Sequence, residues 1–270
     1  MRDTGIRWTN DTWNDLNGCD FFSVCCQNCY AAGLTARFNY PGGYGEGLAY
    51  FDEAGKAQWT GRVNMRWDKI DIPRRWKEPR LIFCNSMSDL FHRDVTDEFI
   101  LANFKVMAEC PRHTFQVLTK RSQRLAQFCH QYYPNGLPPN VWVGVSVGVQ
   151  QDVNKAVDLA TVAAAVRWLS CEPLVGSVVI PPETLRQLQW VVIGGESGPG
   201  ARRMLPEWAR GLRADCRAVG VPVFWKQWGI FGPDGKRHQG KHFEGFDRLD
   251  GERIMEYPVG FEASEELQEK

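Results

Sequence analysis

Thr114-Phe115-Gln116-Val117-Leu118-Thr119-Lys120-Arg121 decides how the rest of the sequence is read. Its first five residues are mostly β-branched or apolar, as in a buried strand, and the run stops at three polar residues. A helix is predicted directly after it, from Ser122 to about Tyr132. Val141-Trp142-Val143-Gly144-Val145-Ser146 then reads as a second strand, and the Ala-rich stretch from Asp152 to about Ala164 as a second helix. Strand, helix and strand in this order call for parallel pairing, because the helix carries the chain back to the starting edge of the sheet.

The same unit recurs outward from this point. Before it, Leu81-Ile82-Phe83-Cys84 leads into polar Asn85-Ser86-Met87-Ser88-Asp89. A helix follows that carries Phe99, Ile100, Phe104 and Met107, with Thr96 or Asp97 placed to cap it. After it come Val166-Arg167-Trp168-Leu169 and Trp190-Val191-Val192-Ile193, then a helix from Pro206 to about Val219, then Val221-Pro222-Val223-Phe224-Trp225. The fold class predicted is α/β: a partial (β/α) barrel of about six βα units, with an open doubly wound sheet as the other arrangement of such units. Residues 1–260 read as one domain, interrupted at 38–80 by a Gly- and Tyr-rich insertion and a basic segment. Residues 261–270 read as an acidic flexible tail.

Composition narrows the function. The 270 residues are 43% hydrophobic and 24% charged, which is ordinary for a globular chain. Lys+Arg and Asp+Glu are both 32, so no global basic footprint for nucleic acid exists, although a local basic face is compatible with the balance. Met1-Arg2-Asp3-Thr4-Gly5 opens no apolar leader, and no apolar run is long enough for a membrane span. A cytoplasmic protein is expected. Nine cysteines without a leader argue against a disulfide scaffold.

Four of the nine fall within eleven residues, in Gly18-Cys19-Asp20-Phe21-Phe22-Ser23-Val24-Cys25-Cys26-Gln27-Asn28-Cys29-Tyr30. Two registers fit, C-x6-C-x2-C through Cys19, Cys26 and Cys29, or C-x5-C-x3-C through Cys25. The first is preferred, because a C-x2-C pair lets two thiolates reach one metal from a tight turn. A closed zinc site needs four ligands. A four-iron cluster held by three cysteines keeps one iron open to an outside molecule. Zinc stays the alternative, with Cys25, His92, His113 or Glu196 as a fourth ligand. Buried incidental thiols are the bland reading.

Polar groups abut nearly every strand end, where parallel α/β folds place their sites. Arg121 can pair bidentately with a carboxylate or phosphate, beside Lys120, or both can form ordinary ion pairs. Glu172 and Glu196 are candidates for ribose hydroxyls, an amino group or a metal, against salt bridges with Lys120, Arg121 or Lys226. Gly194-Gly195 allows close backbone approach to a ligand. Asp89 and His92 form either a proton-transfer pair or a capping carboxylate with a buried histidine. Residues 62–80 read as a solvated basic face or a phosphate-binding surface. The eleven tryptophans read first as core. No Gly-x-Ser-x-Gly elbow and no phosphate-loop pattern is present.

The chain resembles a family of phage and bacterial proteins of unassigned function with a three-cysteine motif similar to that of radical-SAM proteins. The resemblance runs in order through Trp8–Asn14, Gly18-Cys19 with Cys26–Ala31, Asn85–His92, Phe115–Arg121, Trp142–Ser146, Leu169–Leu174, Gly194–Pro199 and Phe224–Gly229. The first gap, six residues, is longer than the usual radical-SAM spacing. The resemblance implies a radical-SAM-like barrel in which Cys19, Cys26 and Cys29 hold a [4Fe-4S] cluster and S-adenosylmethionine binds its open iron. Ser146, Glu172, Arg121 and Glu196 are then expected around S-adenosylmethionine, and Asn85 and Lys226 at the substrate. A nucleic acid or nucleotide substrate fits a phage setting, and a reductase or partner protein is a further expectation. The alternative function is a zinc-stabilised barrel that binds nucleic acid or a protein partner without radical chemistry.

Overall fold

The computed structural model describes residues 4–198, 200–240 and 242–269, apart from the side chains of residues 266 and 269. Residues 1–3, on which the reading of the leader begins, and residue 199 of the Gly194–Pro199 match lie outside the described residues. In chain order the elements are β1 (Asp11–Trp13), β2 (Leu16–Asn17), α1 (Tyr30–Arg37), β3 (Ala49–Phe51), β4 (Ala57–Trp59), β5 (Asn64–Met65) and α2 (Ile72–Arg75). The alternating part follows as β6 (Leu81–Cys84), α3 (Asp97–Glu109), β7 (Thr114–Thr119), α4 (Ser122–Tyr132), β8 (Val141–Ser146), α5 (Val153–Ala160) and β9 (Val166–Cys171). It ends with α6 (Pro182–Leu185), β10 (Trp190–Gly194), α7 (Pro206–Val219), β11 (Val223–Gln227) and a terminal α8 (Glu265–Glu269).

Seven strands form one parallel sheet in the order β1-β6-β7-β8-β9-β10-β11. The six predicted strands are all there, so the partial (β/α) barrel is the observed architecture. A seventh, β1, pairs with β6 in the register Asp11↔Ile82. Three residues, two of them polar, carry no strand signal of their own. β1 exists because β6 offers it an edge.

Strand alternation sorts the core into two layers. Ile82, Val117, Val143, Leu169, Val191 and Val223 face one way and pack with α3, α4, α5 and α7. Phe83, Trp142, Trp168, Trp190 and Phe224 face the other way, into the hollow of the sheet, where Trp8 joins them. Trp8 meets Phe83 at 4.8 Å and Trp168 at 5.3 Å, both edge-on, the preferred geometry for aromatic pairs. The tryptophans therefore fill the partial barrel, as a core reading of them requires.

The segment expected to fray is partly structured. Leu267 of α8 is buried in the tryptophan layer and Phe261 lies edge-on to Trp142 at 5.0 Å. Two apolar side chains among the acids are enough to dock it. The 38–80 insertion builds a β3–β4 hairpin packed on α1, and its β5 pairs with β2.

The sheet does not close on itself, since β1 and β11 lie at opposite edges. Between them stands Arg7, which donates to the carbonyls of Lys226 at 2.7 Å and Trp225 at 3.3 Å and lies 3.5 Å from Asp247. No helix among the described residues is long and apolar enough to cross a membrane.

Candidate functional site

The cysteine loop lies across the C-terminal ends of the strands. It leaves β2 at Gly18, which bridges Ser88 just past β6. Ser23 then caps a single 3-10 turn, Val24–Cys26, by accepting from the Cys25 amide at 3.3 Å. Cys29 is the N-cap of α1. Two side chains fasten the loop on either side of the mouth. Tyr30 donates its hydroxyl to the Ser86 carbonyl at 2.8 Å, beyond β6. Asn28 donates to Glu196 at 3.0 Å and to the Gly200 carbonyl at 2.8 Å, beyond β10.

All nine cysteines are free, as expected of a chain without a disulfide scaffold. The clustered four differ in setting. Cys25 is packed down onto the loop after β8, with its sulfur 3.6 Å from Asp152 and 3.9 Å from the Pro173 carbonyl. Gly148 is required there, because a Cβ would occupy the place of the Cys25 sulfur. Burial, then the Asp152 charge, pushes this thiol up to about 11. Burial, aided by Asp89 and opposed by Arg121, pushes Cys19 up to about 12. Cys19 and Cys29 are within electrostatic reach of one another, and Lys120 stands within reach of Cys26, Cys29 and Cys25. Among the described residues no three His, Cys, Asp or Glu side chains are gathered closely enough to hold a metal ion as they stand. A single zinc ion needs its thiolates within about 4 Å of one another, given Zn–S bonds near 2.3 Å. A four-iron cluster holds them farther apart.

The other singled-out residues divide between the hollow and its rim. Lys120, Ser146, Glu172 and Lys226 alternate with the inward tryptophan layer and so belong to the inner face. The Ser146 hydroxyl is buried and has no partner among the described residues. Lys226 pairs with Glu172 at 2.8 Å, and Trp8 donates its indole N–H to the other carboxylate oxygen at 3.1 Å.

Arg121 is turned away from the inner face. It donates to Asp89 at 2.7 Å and to Asp20 of the cysteine loop. Asp89 is spent in the same knot, accepting from the Thr119 hydroxyl at 2.6 Å and the amides of Phe91 and Lys120. Burial disfavours its charge, but Arg121 and these donors prevail and hold its carboxyl below the ordinary range. His92 faces Asp20 and Asp94 rather than Asp89, so the two make no proton-transfer pair.

Glu196 is likewise committed. It takes both ends of the Arg202 guanidinium, at 2.9 and 2.6 Å, besides the Arg202 amide and Asn28. Burial would raise its carboxyl, and these donors outweigh burial and lower it. Gly195 meets protein rather than ligand, since a Cβ would fall on the Trp228 carbonyl. Replacing Glu196→Gln breaks the guanidinium pair and loosens the Asn28 anchor. We expect a loss of about 1–3 kcal/mol in local stability of the loop, read as faster amide exchange over residues 25–31 with the sheet unaffected.

Asn85 is not at the mouth. With φ 63° at the end of β6, it turns beneath α3 beside Asn103 and Asp15. Three of the seven cations in the basic 62–80 stretch are paired: Arg66 with Asp68, Arg74 with Asp71 and Glu109, and Arg80 with Asp11. Sequence reasoning missed Asn28, Gly148 and Phe22, although the apolar pair Phe21-Phe22 in a polar loop was a signal.

Fold and site together define a class: a parallel partial (β/α) barrel with a three-thiol loop fastened over its strand ends. The chain belongs to the family described as protein of unknown function (DUF5131), whose model matches residues 3–258. No curated protein matches it. Among solved structures it is similar to a cysteine-to-serine mutant of spore photoproduct lyase, at 13% identity and a TM-score of 0.45 over 80% of this chain and 77% of that one. It is also similar to spore photoproduct lyase complexed with dinucleoside spore photoproduct, at 12% identity and a TM-score of 0.38 over 76% and 60% of the two chains.

Proposed function

We propose that Cys19, Cys26 and Cys29 hold a [4Fe-4S] cluster and that the protein is a radical-SAM-like enzyme acting on a nucleotide-containing substrate. The observation that carries this reading is the fastened loop itself. It brings three free thiols over the open end of a parallel barrel, while the fourth, Cys25, is packed into protein. Held by Cys19, Cys26 and Cys29, such a cluster would supply an electron for reductive cleavage of S-adenosylmethionine and so the means of abstracting hydrogen from a substrate.

The protein's own groups orient and shield. The Lys120 ammonium, with no hydrogen bond or ion pair among the described residues, offsets the charge of neighbouring thiolates. Ser146 offers an unengaged hydroxyl on the inner face, toward S-adenosylmethionine. Glu172 presents a carboxylate already oriented by Trp8 and Lys226, and Lys226 serves the substrate side. Arg121 and Glu196 act by holding the loop. The tryptophan layer closes the hollow from below and keeps water out.

The test is anaerobic reconstitution with iron and sulfide, then reduction in the presence of S-adenosylmethionine. Brown protein that yields methionine and deoxyadenosine is the expected result. Colourless protein carrying one zinc per chain, with no cleavage, overturns the reading in favour of a zinc-stabilised binding barrel.

A further inference from the structure

A cavity of about 430 Å³ opens beside the thiol loop, between the segments that follow β6, β7 and β8. Five cations stand in its wall: Arg93, Lys120, Arg121, Arg124 and Lys155. Only two acids do, Asp20 and Asp152. Asp89 and Asp97, which hold Arg121 and Arg124, stand outside the lining. With those two carboxylates counted, five cations face four acids.

The cations are arranged for an anion rather than for solvent. Lys155 is a buried lysine, with 8% of its side chain exposed, and Asp152 at 2.5 Å is its ion-pair partner. Lys120 has none among the described residues. Arg93, with 72% of its side chain exposed, reaches out at the rim and holds Asp20 at 3.4 Å. The N-terminus of the eleven-residue α4 also opens here at Ser122 and Gln123, and no side chain caps it. Its first-turn amides and the helix dipole add to the pull on an anion.

Aromatic rings frame the same opening. Phe22 lies in the wall with Arg121 4.8 Å and Lys155 5.4 Å from its ring centre, and it stays 47% exposed. Its neighbour Phe21 is 63% exposed. Both belong to the long gap between Cys19 and Cys26, and Phe22 is the ring that this gap delivers to the cation-lined space. The amide side chains of Gln123, Gln151 and Asn154 complete the lining with neutral donors and acceptors. Phosphate-binding cations beside exposed rings are what unpaired nucleic acid needs, because each nucleotide brings an anion and a π-face.

We propose that this cavity binds one nucleotide of an unpaired nucleic-acid strand, its phosphate on Lys155, Arg93 and the start of α4, its base against Phe22. The strand is thereby held beside the thiol loop. The inference names the substrate class of the function proposed above and rests on that reading for its purpose, but the binding itself needs no cluster.

The test uses the full chain without cluster and a fluorescein-labelled twelve-nucleotide thymidine oligomer, followed by anisotropy. Binding is expected, weakening with salt, with a log–log slope that Arg93→Glu reduces by about 0.7. Arg93→Glu and Phe22→Ala are each expected to weaken binding by about tenfold. Both residues are exposed, so neither variant threatens folding. Lys155→Gln is read beside them, with its folding checked by circular dichroism. Thymidine monophosphate should displace the oligomer at concentrations where inorganic phosphate does not. Equal displacement by phosphate, equal affinity for the same oligomer annealed to its adenosine complement, or wild-type affinity in both surface variants overturns the proposal. Protein that binds the oligomer but never cleaves S-adenosylmethionine sinks the radical reading alone. Protein that cleaves it but ignores the oligomer sinks this inference alone.

Discussion

Cys26→Ala is expected to abolish cluster assembly, whereas Cys25→Ala retains both the brown colour and S-adenosylmethionine cleavage. The two residues are adjacent, so the contrast comes from packing. The Cys25 sulfur is enclosed by Gly148, the Pro173 carbonyl and Asp152, and its thiol is pushed up to about 11 by burial and then by Asp152. Burial raises Cys19 further still, so it is the enclosure of the sulfur by protein and not the raised thiol that sets Cys25 apart. Cys26 is half-buried and stands within electrostatic reach of Lys120. Losing Cys25 leaves a small void and a lost S–H contact, about 1–2 kcal/mol, a cost to stability and not to ligation. Iron content and visible absorption of the two variants decide the matter. Equal loss in both would mean that Cys25 is a ligand and that the loop rearranges on binding metal.

Asp15→Asn is expected to stabilise the protein at pH 8 and to do little at pH 4. Asp15 is wholly buried, and burial raises its carboxyl from 3.8 to about 7, against the pull of Asn103 and Asn85. Between these values the folded chain binds a proton that the unfolded chain has released. The contribution is complete below about pH 4 and is lost as pH rises toward 7, so stability falls across that window. The shift corresponds to roughly 4 kcal/mol of stability. Asparagine cannot ionise, so the variant escapes the loss. Urea unfolding of both proteins at pH 4, 6 and 8 measures the difference. A gap that does not widen with pH would show that Asp15 ionises freely in the folded state.

The parallel sheet was legible because buried strands need unbroken apolar runs, and Leu81–Cys84, Val141–Ser146 and Trp190–Ile193 supply them. β1 was not, since a three-residue edge strand draws its conformation from its neighbour. The cysteine cluster stood out by its spacing, but the anchors of its loop did not. Asn28, Tyr30 and Gly148 act through partners at least 56 residues away, and no local pattern announces them. Strand ends were the least readable places. Lys120 and Arg121 are neighbours in one polar triplet, yet one belongs to the inner face and the other is locked to Asp89 and Asp20. Asn85 looked like a rim residue until its positive φ carried it under α3. A side chain's direction past the last paired residue is set by the turn, and the turn is set by what it packs on.

Arg7 reaches the β11 edge with charge-assisted bonds to two carbonyls, each worth about 1.5–3 kcal/mol. Beside it residues 254–256 add backbone bonds to the same strand, from the Trp225 amide to Ile254 and from the Glu256 amide to Val223. The outer margin of β11 is thus hemmed by a segment from far along the chain, and a strand from another molecule finds those backbone groups already taken.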